Sequence, residues 1–548
     1  MRVTEAVAAT LAGLGADTLF GVVGSGNFHI TNALISQGAR YYPARHEGGA
    51  ACMADGWART ASRTGLLTVH QGPGLTNAVT GITEAAKSRT PLLVLAADVA
   101  GPAVSSNFRI DVAALAAAVG AVPERLYSPA SAAADTARAY QTAARQRRTV
   151  VLAMPLDVQA GECDRQPPPA PPLLGPAAPA ADAADALAAA LARARRPVFV
   201  AGRGARVARA GPDLADLAAA CGALLATSAA AKGLFRGSPW DLDVSGGFAT
   251  PLAAELISAA DLIVGWGCSL NMWTMRHGNL IGPDTTVVQV DDDPAAIGAH
   301  RPVQLGVLGD VAETARAAHA ALGERFGSGH GYRRDDVRDR IAREAQWRSV
   351  PYPDQTGGGR VDPRTLSIAL DDLLPAERTV CVDSGNFMGY PSMYLSVPDQ
   401  AGFCFTQAYQ AVGLGLASAI GAAIARPDRL PVAAVGDGGV LMGASELETV
   451  VRLGLPMLIV VYDDEAYGAE VHHFGPEGYP LGIVQFPPAD IAAIGRGFGC
   501  AGVTVRGPAD LDPVRAWLAG PRQQPLVIDA KVTADQGSWW LEEAFRGH

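Results

Sequence analysis

The chain has no apolar run long enough to cross a bilayer. Its opening, Met-Arg-Val-Thr-Glu-Ala-Val, has no apolar core of the kind a secretory leader carries, so a cytoplasmic location is expected. No Cys-x-x-Cys pair occurs. Cys52, Cys163, Cys221, Cys268, Cys381, Cys404 and Cys500 stand singly, which fits free thiols in a reducing compartment and excludes a disulfide scaffold. Lysine is confined to Lys87, Lys232 and Lys531, with arginine in its place, a compositional bias without functional weight. A net charge of −10 argues against a nucleic-acid partner. Charged residues make up only 18% and hydrophobic ones 49%, which excludes disorder. At 548 residues one core cannot serve the whole chain, and about three domains are expected.

What is present is a repeated strand–helix rhythm. Residues 1–165 show an amphipathic start at 3–14, strands at 18–21, 65–69 and 91–96, and a helix around 47–59. That rhythm predicts an α/β fold of three doubly wound parallel sheets with helices on both faces. The proline-rich run from Gln166 to Pro172 marks a linker over 166–179. A second α/β unit is expected at 180–345, with strands opening at Pro197, Leu262 and Val287. The Gly357-Gly-Gly359 hinge leads into a third at 355–548. Gly202-Arg203-Gly204, after the first of these central strands, is an incomplete dinucleotide fingerprint, leaving FAD possible but not favoured.

The third unit carries the strongest chemical pattern. A strand at 430–435 runs into Gly436-Asp437-Gly438-Gly439, a helix is expected at about 440–452, and a continuous apolar strand at 456–462 ends in Asp463-Asp464. Two acidic residues one βαβ unit apart, both at strand carboxyl ends, suit Mg²⁺, which takes oxygen ligands and shares its shell with phosphates. The glycines allow backbone N–H groups to approach phosphate oxygens. This spacing, with Tyr467-Gly468 following, resembles the thiamine diphosphate enzymes of the acetolactate synthase, benzoylformate decarboxylase and pyruvate decarboxylase superfamily. Arg45-His46-Glu47-Gly-Gly-Ala-Ala-Cys-Met-Ala-Asp-Gly-Trp-Ala-Arg59 is similar to the same superfamily's first-domain signature, so the resemblance spans nearly the whole chain.

The resemblance implies roles for particular residues. Glu47 would contact the cofactor's aminopyrimidine and promote the tautomer that activates it. Asp437, Asp464 and the Ala466 carbonyl would hold Mg²⁺. Gly385, Asn386 and Phe387, with Gly438, Gly439, Tyr467 and Gly468, would surround the diphosphate. The Gln410 carbonyl would receive the 4′-amino group, and Val412 would wedge between the cofactor's rings. Asp464 stands where the family usually has asparagine. His70 and Ser25 occupy places similar to a benzoylformate decarboxylase-like histidine and serine, and Glu470 a place similar to a pyruvate decarboxylase glutamate. Gln71, Phe108 and His473 are further substrate-side candidates. The family places the activating glutamate and the diphosphate clamp on different subunits, which implies a homodimer or homotetramer.

Three departures stand against a housekeeping acetolactate synthase. Pro155-Leu156-Asp157-Val158-Gln159 lacks the family's lysine, His472-His473 replaces its Gln-Trp, and no substrate-binding arginine is found around 271–276. The second histidine of benzoylformate decarboxylase also has no counterpart near Met272 or Trp273. The implied activity is decarboxylation of a 2-oxo acid to an enamine, followed by carboligation to an acceptor carbonyl compound. Alternatives are simple decarboxylation to an aldehyde, a flavin-dependent pyruvate oxidase-like enzyme, and a cofactor-binding relative without turnover. Retention of Glu47 speaks for turnover. A C-terminal helix around Trp539-Trp540 is expected to close over the site or to dock on the surface.

Overall fold

A computed structural model describes residues 1–164, 172, 174–325, 331–534 and 538–544. Most of the proline-rich run expected as a linker, and Phe545 at the end of the C-terminal pattern, lie outside the described residues. Three sheets form, each of six parallel strands flanked by helices, as the strand–helix rhythm predicts. Edge to edge, the first runs Arg40–Pro43, Thr18–Gly21, Gly65–Val69, Leu92–Asp98, Thr149–Pro155 and Val122–Arg125. The second runs Leu305–Leu308, Thr286–Asp291, Leu262–Trp266, Pro197–Ala201, Leu224–Thr227 and Asp241–Val244. The third runs Phe403–Phe405, Arg378–Val382, Leu430–Gly436, Leu458–Asp463, Leu526–Lys531 and Ala501–Val505. Their central strands are buried along their whole length, which is why they read as unbroken apolar runs and not as alternating ones. Every cysteine is a free thiol. Among the described residues no helix is long and apolar enough to cross a membrane.

The first and third sheets meet through helices Glu47–Ala61 and Gly415–Ala425, whose small residues let the backbones touch. A Cβ on Gly421 would overlap Met53 O, and one on Gly56 would overlap Ser418 O. We expect Gly421→Ala to force the helices apart and cost about 1–3 kcal/mol. Thermal melting would check this, and an unchanged Tm would show that the crossing tolerates a methyl group.

The helix expected over 440–452 is instead two short ones, Asp437–Met442 and Glu446–Arg452. The break falls at Gly443, which approaches the Gly413 carbonyl so closely that a Cβ would lie 3.3 Å from it. Three i→i+3 bonds, from Glu446, Leu447 and Glu448 N–H to Gly443, Ala444 and Ser445 carbonyls, tighten the turn. The C-terminal helix Trp539–Ala544 docks with Trp540 buried, its ring meeting Phe248 and Tyr390. Just before it, Ser538 Oγ donates to the Asn386 carbonyl at 3.3 Å, so this tail reaches the edge of the expected diphosphate loop.

Candidate active site

Ligands of doubly wound sheets gather at strand carboxyl ends where the strand order reverses. In the first sheet that point lies between Thr18–Gly21 and Gly65–Val69, whose exits carry Ser25 and His70. The Gly26 N–H donates to His70 Nδ1 at 3.1 Å, so a neutral imidazole keeps its proton on Nε2. The Phe108 ring meets His70 edge-on with centroids 5.3 Å apart. Gln71 is buried, and its Oε1, aimed at Gly26, has no hydrogen-bond partner among the described residues. Asn27 fixes the exposed Ser25 turn, accepting the Gly24 N–H at 2.8 Å and donating to Val22 O and Thr68 Oγ1.

Glu47 is the first residue of helix Glu47–Ala61, where the helix dipole favours an anion. Asn77 Nδ2 donates to its Oε2 at 3.0 Å. A Cβ on Gly74 would lie 3.0 Å from His70 Cβ and 3.5 Å from Glu47 Oε1, so these two side chains flank one point. Ser25, Glu47, His70, Gln71 and Phe108 therefore come together at one sheet edge.

The third sheet repeats the plan. Its order reverses between Arg378–Val382 and Leu430–Gly436, whose exits carry Asp383 and Asp437, and Asp464 leaves the next strand. Asp463 turns the other way, into an ion pair with Lys531, because successive strand residues face opposite sides. Burial pushes the Asp437 carboxyl up to about 7, helped by Asp463, and the Asp464 carboxyl up to about 8, helped by Asp437. A cation between two such groups relieves both their burial and their repulsion. Among the described residues, no backbone N–H donates to the Ala466 carbonyl, which leaves a third oxygen available. Among them no group of three or more His, Cys, Asp or Glu side chains could hold a metal ion by itself, so phosphate oxygens and water would complete an octahedral shell. The donor set thus fits Mg²⁺ shared with a diphosphate.

The remaining clamp residues gather here. The Tyr467 ring lies over Gly438, and Asn386 packs beside Gly468 and Asp464. Val412, 40% exposed, stands beside Gly439, where a Cβ would lie 3.5 Å from its Cγ1. Gln410 has φ 60°, a left-handed conformation that few non-glycine residues adopt. Asp383 holds this loop, accepting from Ser384, Gly413 and Leu414 N–H at 2.8, 2.9 and 3.1 Å. Burial pushes its carboxyl up to about 6 against those bonds.

One side chain departs from the place expected for it. The Phe387 side chain faces the core, stacked on Tyr462 at 5.3 Å, so only its backbone remains for a ligand. Glu470 and His473 ride on helix Gly468–Phe474, directly after the clamp residue Tyr467. The side-chain hydrogen bonds of His70 and Glu47, to Gly26 and Asn77, stay within the first sheet's domain. In the central sheet, the Gly202 and Gly204 N–H groups donate to Trp266 O and Gly267 O at 2.9 Å each. These two amides are therefore already committed. Asp383, Asn77 and Asn27 were not singled out from sequence, although Asp383 follows a parallel strand as Asp437 does.

Each of the three sheets overlaps one of three family models. The N-terminal TPP binding domain of thiamine pyrophosphate enzymes matches residues 1–115, their central domain 184–318, and their C-terminal TPP binding domain 383–530. The chain belongs to the thiamine pyrophosphate enzymes. This enzyme is 31% identical to a probable 2-ketoarginine decarboxylase of Pseudomonas aeruginosa, covering 93% of this chain and 89% of that protein. It is 30% identical to a sulfoacetaldehyde acetyltransferase of Rhodobacter capsulatus, covering 86% and 83%. It is 27% identical to the acetolactate synthase isozyme 2 large subunit of Escherichia coli, covering 85% and 84%.

Proposed function

We propose that this enzyme decarboxylates a 2-oxo acid with Mg²⁺ as its metal and releases the aldehyde. The observation that carries this reading is His70 beside Glu47 at one strand end, with Nδ1 occupied and the proton on Nε2. Conversion of R–CO–COO⁻ to R–CHO and CO₂ consumes one proton at the carbon that loses the carboxylate, and His70 is placed to give it. When bound, thiamine diphosphate supplies a carbon nucleophile for the carbonyl and a cationic ring that accepts the electron pair left by CO₂.

The chain's own groups do the rest. Glu47, with one oxygen tied by Asn77, holds a proton at the cofactor's pyrimidine. The Ser25 hydroxyl and the Gln71 amide bind the substrate carboxylate, and Phe108 shields the imidazole from water. Asp437, Asp464 and the Ala466 carbonyl hold the metal. Gly385, Asn386, Gly438, Gly439, Tyr467, Gly468 and the Phe387 backbone enclose the diphosphate. The Gln410 carbonyl and Val412 would contact the cofactor's rings. The complete site forms where the His70 half of one copy meets the clamp half of another, with Glu470 and His473 on the clamp side, so the enzyme is at least a homodimer.

Capture by an acceptor carbonyl compound is the second reading, favoured by the acetyltransferase and acetolactate synthase among the relatives. Incubation with thiamine diphosphate, Mg²⁺ and a panel of 2-oxo acids, with and without acceptor aldehydes, separates the two by product mass. We expect CO₂ and an aldehyde. A 2-hydroxy ketone would select the second reading, and no CO₂ from any 2-oxo acid would overturn both.

A further inference from the structure

We infer that Glu84 and Glu446 are positioning residues that clasp the two cofactor-facing loops, each carboxylate reaching from one domain into the other. Glu446, 2% exposed, begins helix Glu446–Arg452 of the third sheet's domain. Its Oε1 accepts from the Arg45 and His46 N–H groups at 3.1 and 3.0 Å, and its Oε2 from Thr449 Oγ1 at 2.7 Å. His46 in turn caps the helix that Glu47 opens, its Nδ1 accepting the Gly48 N–H at 3.0 Å. The carboxylate therefore fixes the turn from which Glu47 projects. The break at Gly443 begins a new helix at Glu446, which presents its carboxylate to that turn.

Glu84, 1% exposed, lies on helix Pro73–Lys87 of the first sheet's domain and does the converse. Its Oε1 accepts the Ala408 N–H at 3.2 Å and its Oε2 the Tyr409 N–H at 2.7 Å. These are the residues just before Gln410 and Val412. Arg59 compensates the buried charge at 2.8 Å and also donates to Phe405 O at 2.9 Å, at the start of the same loop. Burying a carboxylate is unfavourable unless its lone pairs are taken up, and here both glutamates find backbone N–H pairs. The strained φ at Gln410 persists only if its surroundings over-determine it, and Glu84 on one side with Asp383 on the other does so. Two unrelated carboxylates, each bonded to the N–H pair just ahead of a cofactor residue, distinguish a clasp from general adhesion between domains.

This inference rests on the proposed roles of Glu47, Gln410 and Val412. Its test compares Glu446→Ala, Glu446→Gln and Glu84→Gln by three measurements: amide hydrogen exchange, thiamine diphosphate affinity by calorimetry, and kcat with KM. In Glu446→Gln the amide oxygen can still face both N–H groups while its NH₂ faces Thr449, so near wild-type behaviour is expected. Glu446→Ala loses the acceptor, and kcat is expected to fall about 10- to 100-fold with little change in KM, as displacement of a reacting group by about 1 Å produces. Exchange protection at residues 45 and 46 should be lost with it. In Glu84→Gln an NH₂ meets a backbone N–H. Protection at 408 and 409 should fall and cofactor affinity drop on the order of 10-fold, the cost of one strained, mispaired loop contact. Equal damage from Glu446→Ala and Glu446→Gln would overturn the inference. So would folded variants that lose protection yet bind cofactor and turn over as wild type. Should Glu84→Gln fail to fold, the Glu446 pair still decides. A fully active Glu47→Gln would instead sink the underlying site assignment.

Discussion

Glu47→Gln is expected to lower decarboxylation about 10²- to 10⁴-fold, the range that a positioned proton-transfer group contributes. Glutamine has the same shape, and its carbonyl oxygen can keep the bond that Asn77 Nδ2 makes to Oε2 at 3.0 Å. The helix N-terminus, the His46 cap and the Glu446 bonds are all built from backbone or other side chains, so the fold should survive. What the substitution removes is the ability of the remaining oxygen to accept or hold a proton. The effect should therefore fall on kcat, with cofactor affinity changed far less. Asn77→Ala is the graded control: it leaves the carboxylate but frees its orientation, and a smaller loss is expected. Single-turnover CO₂ release together with calorimetric cofactor binding makes the measurement. Wild-type turnover in Glu47→Gln would remove Glu47 from the chemistry.

How much of this was legible in the sequence depends on how local each signal is. The Gly436-Asp437-Gly438-Gly439 turn and the run from Arg45 to Arg59 are contiguous, and a turn or helix start is decided by the residues within it. Burial of the parallel strands likewise shows as continuous apolar stretches. Phe387 was ambiguous because an aromatic residue in a loop can face ligand or core, and only Tyr462, on a distant strand, decides. Gly202 and Gly204 imitate a phosphate turn because close packing against Gly267 asks for the same small residues. Glu84 and Glu446 were invisible. Their N–H partners lie more than 300 residues away in sequence, and a solvated helix glutamate looks the same in a sequence. The break at Gly443 was missed for the same reason, since the Gly413 carbonyl that helps to shape it belongs to another loop.

Asp464→Asn is expected to weaken the Mg²⁺ dependence of cofactor binding, and Asp437→Asn to abolish cofactor binding outright. Both carboxyls are half-buried, and desolvation already pushes them up to about 7 and about 8. Without a cation the sign is clear. Their raised pKa gives stability that is complete below the ordinary carboxylate range of about 4 and is lost as pH rises through 7 to 8. The cofactor-free protein should accordingly melt at lower temperature at pH 9 than at pH 6, and Mg²⁺ with thiamine diphosphate should close that gap. A diphosphate would add further negative charge to the same space, so cofactor and Mg²⁺ are expected to reinforce each other's binding. Replacing Asp464, the family's usual asparagine position, by asparagine removes one of these charges. At a separation of about 4 Å and an effective dielectric of about 20, one such interaction is worth up to about 4 kcal/mol. A fall of 10-fold or more in the ratio of cofactor affinities with and without Mg²⁺ is therefore expected, within the roughly 5- to 150-fold range typical of coupling between sites. Calorimetric titration of thiamine diphosphate across a series of Mg²⁺ concentrations reads this ratio directly. An unchanged Mg²⁺ dependence in Asp464→Asn would mean that its carboxylate does not face the metal, leaving Asp437 and the diphosphate to hold it.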